Sequence, residues 1–251
     1  MNNRFKRGIW LLAMGLTTTL GAMAQSTGGK QPSCCAAQQQ SVLSSRQQAI
    51  VAIGSYTGRG DLEHLSQALV QGLEVGMTVN EIKEILVQSY AYCGFPRSLR
   101  AIQTFMKLLD ERKQQGIEDV KGKEASDISN HGDKYDRGAK ILKELSGMDS
   151  SHPKTGYGAF APTIDRFLKE HLFADIFERD LLSYQERELA TVSFLAGVGG
   201  VEPMARGHMG ICLHLGITKE QLSALLDIVE NNLGASSAMP LRKVLKSLNS
   251  Q

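Results

Sequence analysis

Glu188 and His208 are the two side chains of this sequence best suited to move a proton. An imidazole changes its charge between about pH 5 and 8, and a nearby carboxylate orients it and stabilises the cation that it forms. Each residue also has a structural interpretation. Glu188 lies near the start of a predicted helix, where the helix dipole favours a carboxylate, and His208 can be solvated or held in the core. If the fold brings the two together, they form an acid–base pair.

Arg206, Cys212, Tyr92 and Cys93 are the candidates for binding a substrate. Arg206 can hold an anionic group. Cys212 follows His208 by about one helical turn, and a thiol beside an imidazole can become a nucleophilic thiolate. Cys93 follows Tyr92 at a predicted helix end. A small buried cysteine is the alternative for both thiols, so acid–base and thiol chemistry both remain open.

The chain contains one sequence pattern twice, about 140 residues apart. RQQAIV at 46–51 is repeated as RELATV at 187–192, and LEVGMTVNEI at 73–82 is repeated as LHLGITKEQL at 213–222. A repeat of this length is longer than a solenoid unit. It indicates a duplicated helical module, so chemistry can be sought where the two copies differ.

The two copies differ at the candidate acid–base pair. Ala68 stands at the position of His208, and Gln47 stands at the position of Glu188. The ionisable pair is therefore present in the second copy alone, and we expect the first copy to act as a scaffold.

Capping-box patterns and apolar spacing predict helices throughout the two modules. Ser45 with Gln48, Thr78 with Glu81 and Ser183 with Glu186 are typical of helix starts. The apolar residues that follow recur at three and four positions, and no alternating run is long enough for a strand. We predict an all-α protein, with a short helix from Tyr135 to Leu145 and second-module helices at about 184–198, 202–215, 219–232 and 238–248.

Gly207 and Gly210 flank His208 in a helix that begins near Pro203. Each glycine costs a helix about 0.8–1 kcal/mol relative to alanine. Two glycines in one short helix predict the close approach of another helix, a ligand or a partner subunit.

The N-terminal sequence predicts export. Residues 1–24 have a basic start, a short apolar run and an Ala-Met-Ala cleavage signal, as expected of a signal peptide rather than a membrane span.

The chain carries 28 basic and 26 acidic residues. Because the leader holds three of the basic ones, the mature chain is nearly neutral, which gives no reason to expect nucleic acid or membrane as partner. Cys34 and Cys35 are adjacent in a polar tail, and no C-x-x-C occurs, so neither a disulfide scaffold nor a metal site is expected.

Several motifs together resemble the carboxymuconolactone decarboxylase family, over roughly residues 44–110 and 162–234. The motifs are EVGMTVNEI at 74–82, YAYCGFPRSL at 90–99, FLKEHLF at 167–173, RELAT at 187–191 and the later His208. The resemblance implies an all-α fold of two alkyl hydroperoxidase D-like modules in tandem, which commonly assembles into homo-oligomers. The expected organisation is a signal peptide at 1–24, a flexible tail at 25–43, modules at 44–115 and 161–251, and a linker at 116–160.

The resemblance also implies roles for the candidate residues. In the decarboxylase branch, which removes CO2 from a γ-lactone acid, His208 would handle a proton, Glu188 would orient it and Arg206 would hold a carboxylate. In the peroxidase branch a pair of cysteines precedes the histidine, but those positions here hold Val201 and Met204. This departure puts the thiol chemistry of that branch in doubt.

We therefore expect an exported enzyme that acts on a small carboxylated or lactone substrate by acid–base chemistry, without metal or organic cofactor. One alternative is a thiol-dependent antioxidant protein that uses Cys93 or Cys212. The other is a helical module that binds a small molecule in the second half without converting it.

Overall fold

The computed structural model describes residues 42–129, 131–149, 151 and 155–248. The predicted signal peptide, most of the predicted tail, and Cys34 and Cys35 lie outside these residues. Export and oligomer formation therefore stay predictions.

The described part of the chain is all-α, as predicted, and contains no strand. None of its helices is both long and apolar enough to cross a membrane. In chain order they are α1 (Ser45–Arg59), α2 (Leu62–Glu74), α3 (Val79–Gln88), α4 (Tyr90–Gln114, interrupted at Gly94), α5 (Lys134–Ser146), α6 (Gly156–Phe160), α7 (Pro162–Phe167), a π-helix (Leu168–Phe177), α8 (Tyr184–Val198), α9 (Glu202–His214), α10 (Lys219–Leu233) and α11 (Ala235–Ser247).

Reciprocal side-chain caps fix the starts of four of the described helices, α1, α3, α8 and α10. The capping boxes of α3, at Thr78 with Glu81, and of α8, at Ser183 with Glu186, are confirmed. The prediction for α1 was wrong by one residue, because Ser44 rather than Ser45 is the N-cap and pairs with Gln47. Either serine can supply the capping oxygen, so the sequence alone does not choose between them.

α1 and α8 pack against each other at the centre of the fold, and glycines allow the two backbones to meet. A Cβ atom on Gly58 would overlap the carbonyl oxygen of Phe194, and one on Gly197 would lie 2.6 Å from the carbonyl oxygen of Ser55. A larger residue at either position would force the helices apart. This contact joins the two copies of the repeated pattern.

A single hydrophobic core includes residues from both halves. Ile53 and Leu86 from the first half and Leu189 and Phe194 from the second are fully buried in it. Each such side chain contributes about 1.5–3 kcal/mol to folding. The two predicted modules therefore share one core. Their boundaries stay a prediction.

Part of the predicted linker and the start of the predicted second module form a second, smaller core. Residues of α5 and the π-helix pack on Ile211 of α9, and Leu145 and Phe177 are buried between them. Gly138 lets α5 approach closely, because a Cβ there would overlap the carbonyl oxygen of Lys169. The predicted linker thus contains an element that packs directly on the helix that carries His208.

Candidate active site

Glu188 and His208 form a hydrogen-bonded pair between α8 and α9. The distance from His208 Nδ1 to Glu188 Oε2 is 2.8 Å. The Glu188 side chain is fully buried, and the His208 side chain is 16% exposed. The fold therefore brings together Glu188 and His208, the ionisable pair that the first copy lacks. A carboxylate on Nδ1 fixes the ring and its tautomer, with the Nδ1 hydrogen donated to Glu188.

His208 lines a cavity of about 510 Å³ between the two cores. Its volume lies within the range of about 300–1,000 Å³ that is usual for small-molecule sites. The wall is mostly apolar and is drawn from α5, the π-helix, α8 and α9: Leu142, Leu168, Leu172, Phe173, Leu195 and Ile211. Tyr92 and Tyr157 also face the cavity.

The imidazole of His208 can present its second nitrogen to this cavity. Because Nδ1 is turned to Glu188, Nε2 lies on the opposite edge of the ring, and no described residue makes a hydrogen bond to it. The nitrogen that would exchange a proton with a ligand is therefore unengaged. This arrangement is that of a general acid or base.

Tyr92 comes from the first half of the chain and packs on this pair. Its ring contacts the ring of His208 edge to face, with centroids 5.4 Å apart. Its hydroxyl is buried and, like Glu188 Oε1, makes no hydrogen bond of normal geometry within the described residues. Burial, and then the charge of Glu188, raise the pKa of Tyr92 well above its usual range, against smaller opposing effects of Thr191 and Arg187. Tyr92 therefore stays a neutral phenol beside the carboxylate.

Arg206 lies away from the cavity. Its guanidinium donates a hydrogen bond to Ser247 Oγ in α11, and it is not among the cavity-lining residues. The helical geometry explains this, because residues two apart are separated by about 200° around a helix and face opposite sides. The expected contact of Arg206 with a substrate carboxylate is therefore not supported by its position.

The glycines beside His208 do not receive another helix. A Cβ on Gly207 or on Gly210 would meet no atom within 4 Å among the described residues. Of the three predicted alternatives, the approach of another described helix is therefore absent, and a ligand or a partner subunit stays a prediction. Gly207 lines the cavity instead, so its missing side chain leaves room beside His208.

Neither Cys212 nor Cys93 lines the cavity, and both thiols are held protonated. Cys212 is buried in the main core, and burial, followed by the charge of Glu188, raises its pKa well above the usual range. Cys93 is half-buried, and burial raises its pKa to about 12 against a smaller opposing effect of Arg97. A thiolate is the nucleophilic form, so these surroundings do not favour thiol chemistry.

We predict that both thiols resist alkylation in the folded protein. At pH 8, a thiol with a pKa of about 12 is ionised to about one part in 10⁴, and desolvation suppresses the Cys212 thiolate in the same sense. Iodoacetamide treatment followed by peptide mass spectrometry should find Cys93 and Cys212 unmodified. The same treatment in urea should modify both. Rapid labelling of Cys93 in the native protein would contradict the prediction and restore the antioxidant alternative.

Among the described residues, no three His, Cys, Asp or Glu side chains lie close enough together to hold a metal ion.

Some cavity-lining residues were not predicted from the sequence. They are Leu142 and Tyr157 of the predicted linker and residues of the π-helix such as Phe173. The apolar spacing after Ala161 indicates a helix there and could have pointed to the π-helix residues. No sequence feature marks Tyr157 as a cavity residue.

Comparison with known proteins gave a family match over part of the chain and a similar solved structure. Residues 162–247 match the profile of the carboxymuconolactone decarboxylase family. A structure from Burkholderia xenovorans LB400, provisionally described as a gamma-carboxymuconolactone decarboxylase subunit, matches with a TM-score of 0.51 and 18% sequence identity, over 85% of this chain and 82% of that chain. A search of curated proteins gave no significant match. The segment that carries Glu188 and His208 thus matches the carboxymuconolactone decarboxylase family, and the chain has an all-α fold similar to that subunit.

Proposed function

We propose that this protein is a carboxymuconolactone decarboxylase-like enzyme that acts on a small lactone or carboxylated substrate, with His208 transferring a proton and Glu188 orienting it. The observation that supports this most is the 2.8 Å hydrogen bond between His208 Nδ1 and a fully buried Glu188. It leaves the opposite edge of the ring for a ligand in the cavity.

Glu188 serves the proton transfer through its charge and its position. When Nε2 takes a proton, the ring becomes a cation, and the fully buried carboxylate on Nδ1 stabilises that cation. The mostly apolar wall of the cavity strengthens this effect because it does not screen the interaction. Glu188 therefore acts through His208, and His208 is the residue that faces the substrate.

A decarboxylation at this site balances in the following way. The bond between the carboxylate carbon and the ring carbon breaks, CO2 leaves, and the electron pair stays on the ring carbon in conjugation with the lactone carbonyl. His208, which must carry a proton on Nε2 as well as on Nδ1 before this step, delivers the Nε2 proton to that carbon. The neutral imidazole then regains a proton from water, and the hydroxide that is left combines with CO2 to give bicarbonate. A lactone without a carboxylate would undergo only the proton transfer, as removal and return of a proton next to its carbonyl group.

The proposal is tested by following both reactions in D2O. We expect the protein to release CO2 from γ-carboxymuconolactone, or to place deuterium next to the carbonyl of an unsaturated γ-lactone that carries no carboxylate. NMR spectroscopy records deuterium uptake, and headspace analysis records CO2. If neither reaction exceeds the rate without protein while the lactone binds tightly, the proposal fails and the site is a ligand-binding module.

A further inference from the structure

Among the described residues, no arginine or lysine lines the cavity beside His208 to neutralise an acid. Within the described part of the chain, His208 supplies the one basic side chain of the cavity wall. An enzyme that selects a substrate with several carboxylates usually holds them with arginine or lysine, since an unpaired carboxylate in an apolar site is costly. The described residues of this wall include no arginine or lysine that could offer that compensation.

The nearest arginines in the sequence are engaged elsewhere. Arg206 bonds Ser247. Arg187, next to Glu188, is fully buried and donates to Glu84 Oε1 at 2.8 Å and to Gln88 Oε1 at 2.9 Å. Arg187 does not line the cavity, and its guanidinium is hydrogen-bonded to these groups. Neither arginine is placed to receive a ligand carboxylate in the cavity.

The remaining wall suits a flat, uncharged ring. Leu142, Leu172, Phe173 and Ile211 supply apolar surface, and the ring of Tyr92 faces the same space. The Tyr92 hydroxyl oxygen is buried, so the part of this residue that lines the cavity is its aromatic ring. Apolar and aromatic walls gain most from ligands of the same character.

We infer that the ligand of this cavity is a mainly apolar, ring-containing lactone with no carboxylate, which undergoes proton transfer alone. The inference rests on the proposed function for its claim that the ligand is a substrate. It replaces the expectation of a substrate acid bound by Arg206. A carboxylate on the lactone would find no arginine or lysine partner among the described residues of this apolar wall.

Binding of matched probes to the full chain tests this inference. Coumarin is an uncharged aromatic lactone, and coumarin-3-carboxylate is its anion. By isothermal titration calorimetry we expect coumarin to bind the wild-type protein at least about tenfold more tightly, because the added carboxylate is desolvated without compensation. Equal or tighter binding of the anion, or no binding of either probe, would overturn the inference.

A cation introduced at the cavity should reverse the preference. Met204 lines the cavity and is 52% exposed, while Met239 has the same exposure and does not line it. Met204→Arg should tighten coumarin-3-carboxylate binding about tenfold, and Met239→Arg should leave it unchanged. If the two variants bind the anion equally, the inference is wrong.

The failure of this inference is distinguishable from the failure of the proposed function. The probes report affinity and require no turnover. If the protein binds coumarin more tightly but no proton transfer occurs, the inferred preference for an uncharged lactone is supported and the enzyme proposal is wrong. If turnover occurs and the anion binds more tightly, the enzyme proposal stands and the substrate class is wrong.

Discussion

Replacing His208 with Gln is expected to lower turnover about 10²–10⁴-fold, the usual contribution of a positioned acid–base group, while the free energy of unfolding changes by less than about 1 kcal/mol. The loss follows because an amide cannot transfer the proton that Nε2 exchanges with the ligand. Stability is retained because Gln has a similar length and can still donate a hydrogen bond to Glu188, which lies 2.8 Å from the imidazole in the native protein. Turnover is measured with the lactone substrates, and stability by urea unfolding.

The matched control is another histidine that pairs with a carboxylate. His64 Nδ1 lies 2.7 Å from Asp61 Oδ2, and its side chain is 52% exposed. His64→Gln should leave turnover within about twofold of the wild type, because surface substitutions away from a site rarely change its geometry. Wild-type turnover in His208→Gln would contradict the mechanism. A stability loss of several kcal/mol in that variant would assign His208 a structural role instead.

Glu188→Gln extends the same prediction to the buried partner. The variant keeps the shape of the side chain but removes the charge that stabilises the imidazolium, so turnover should fall as well. Because Glu188 acts only through His208, the double variant should be scarcely less active than His208→Gln alone. Additive losses would show that Glu188 has a separate role at the site.

The pairing of Glu188 with His208 was accessible from the sequence because the repeat supplied a comparison within one chain. Ala68 and Gln47 mark the positions where the copies differ, and helix starts at capping boxes place Glu188 in the first turns of α8. These signals are local, and local caps and apolar spacing are what a single sequence encodes most directly.

The rest of the site depends on packing between elements that are distant in sequence. Tyr92 reaches His208 only because α4 of the first half lies against α8. Leu142 and Tyr157 belong to the segment 116–160, which the sequence predicts to be a linker. The i→i+5 hydrogen bonding of the π-helix has no distinct apolar period over ten residues. The sidedness of Arg206, in contrast, was available from helical spacing alone.

A buried ion pair connects the two halves beside the site. Glu84 on α3 is 2% exposed, and its Oε1 accepts hydrogen bonds from Arg187 on α8 and from the half-exposed Arg179. Burial lowers the pKa of Arg187, and the bond and charge of Glu84 oppose that shift. The charged state of a fully buried arginine next to Glu188 therefore relies on Glu84.

Glu84→Gln is expected to lower the free energy of unfolding by about 3–5 kcal/mol, the usual cost of removing one partner of a buried pair. The guanidinium of Arg187 would remain buried without its counter-charge, and Arg187 Nε already lacks a hydrogen-bond partner among the described residues. Urea unfolding measures the change. The control is Glu111→Gln, which removes an exposed pair with Lys107 and should cost less than about 0.5 kcal/mol.

The double substitution Glu84→Leu with Arg187→Met separates charge from packing. If the large loss comes from an uncompensated charge, removing both charges should recover most of the stability, because apolar replacement of a buried pair is often neutral. If the double variant is as unstable as Glu84→Gln, the contribution lies in the hydrogen bonds to Gln88 and to the Arg179 carbonyl rather than in the pair. A loss in Glu84→Gln no larger than that in Glu111→Gln would mean that the carboxylate does not stabilise the contact between α3 and α8.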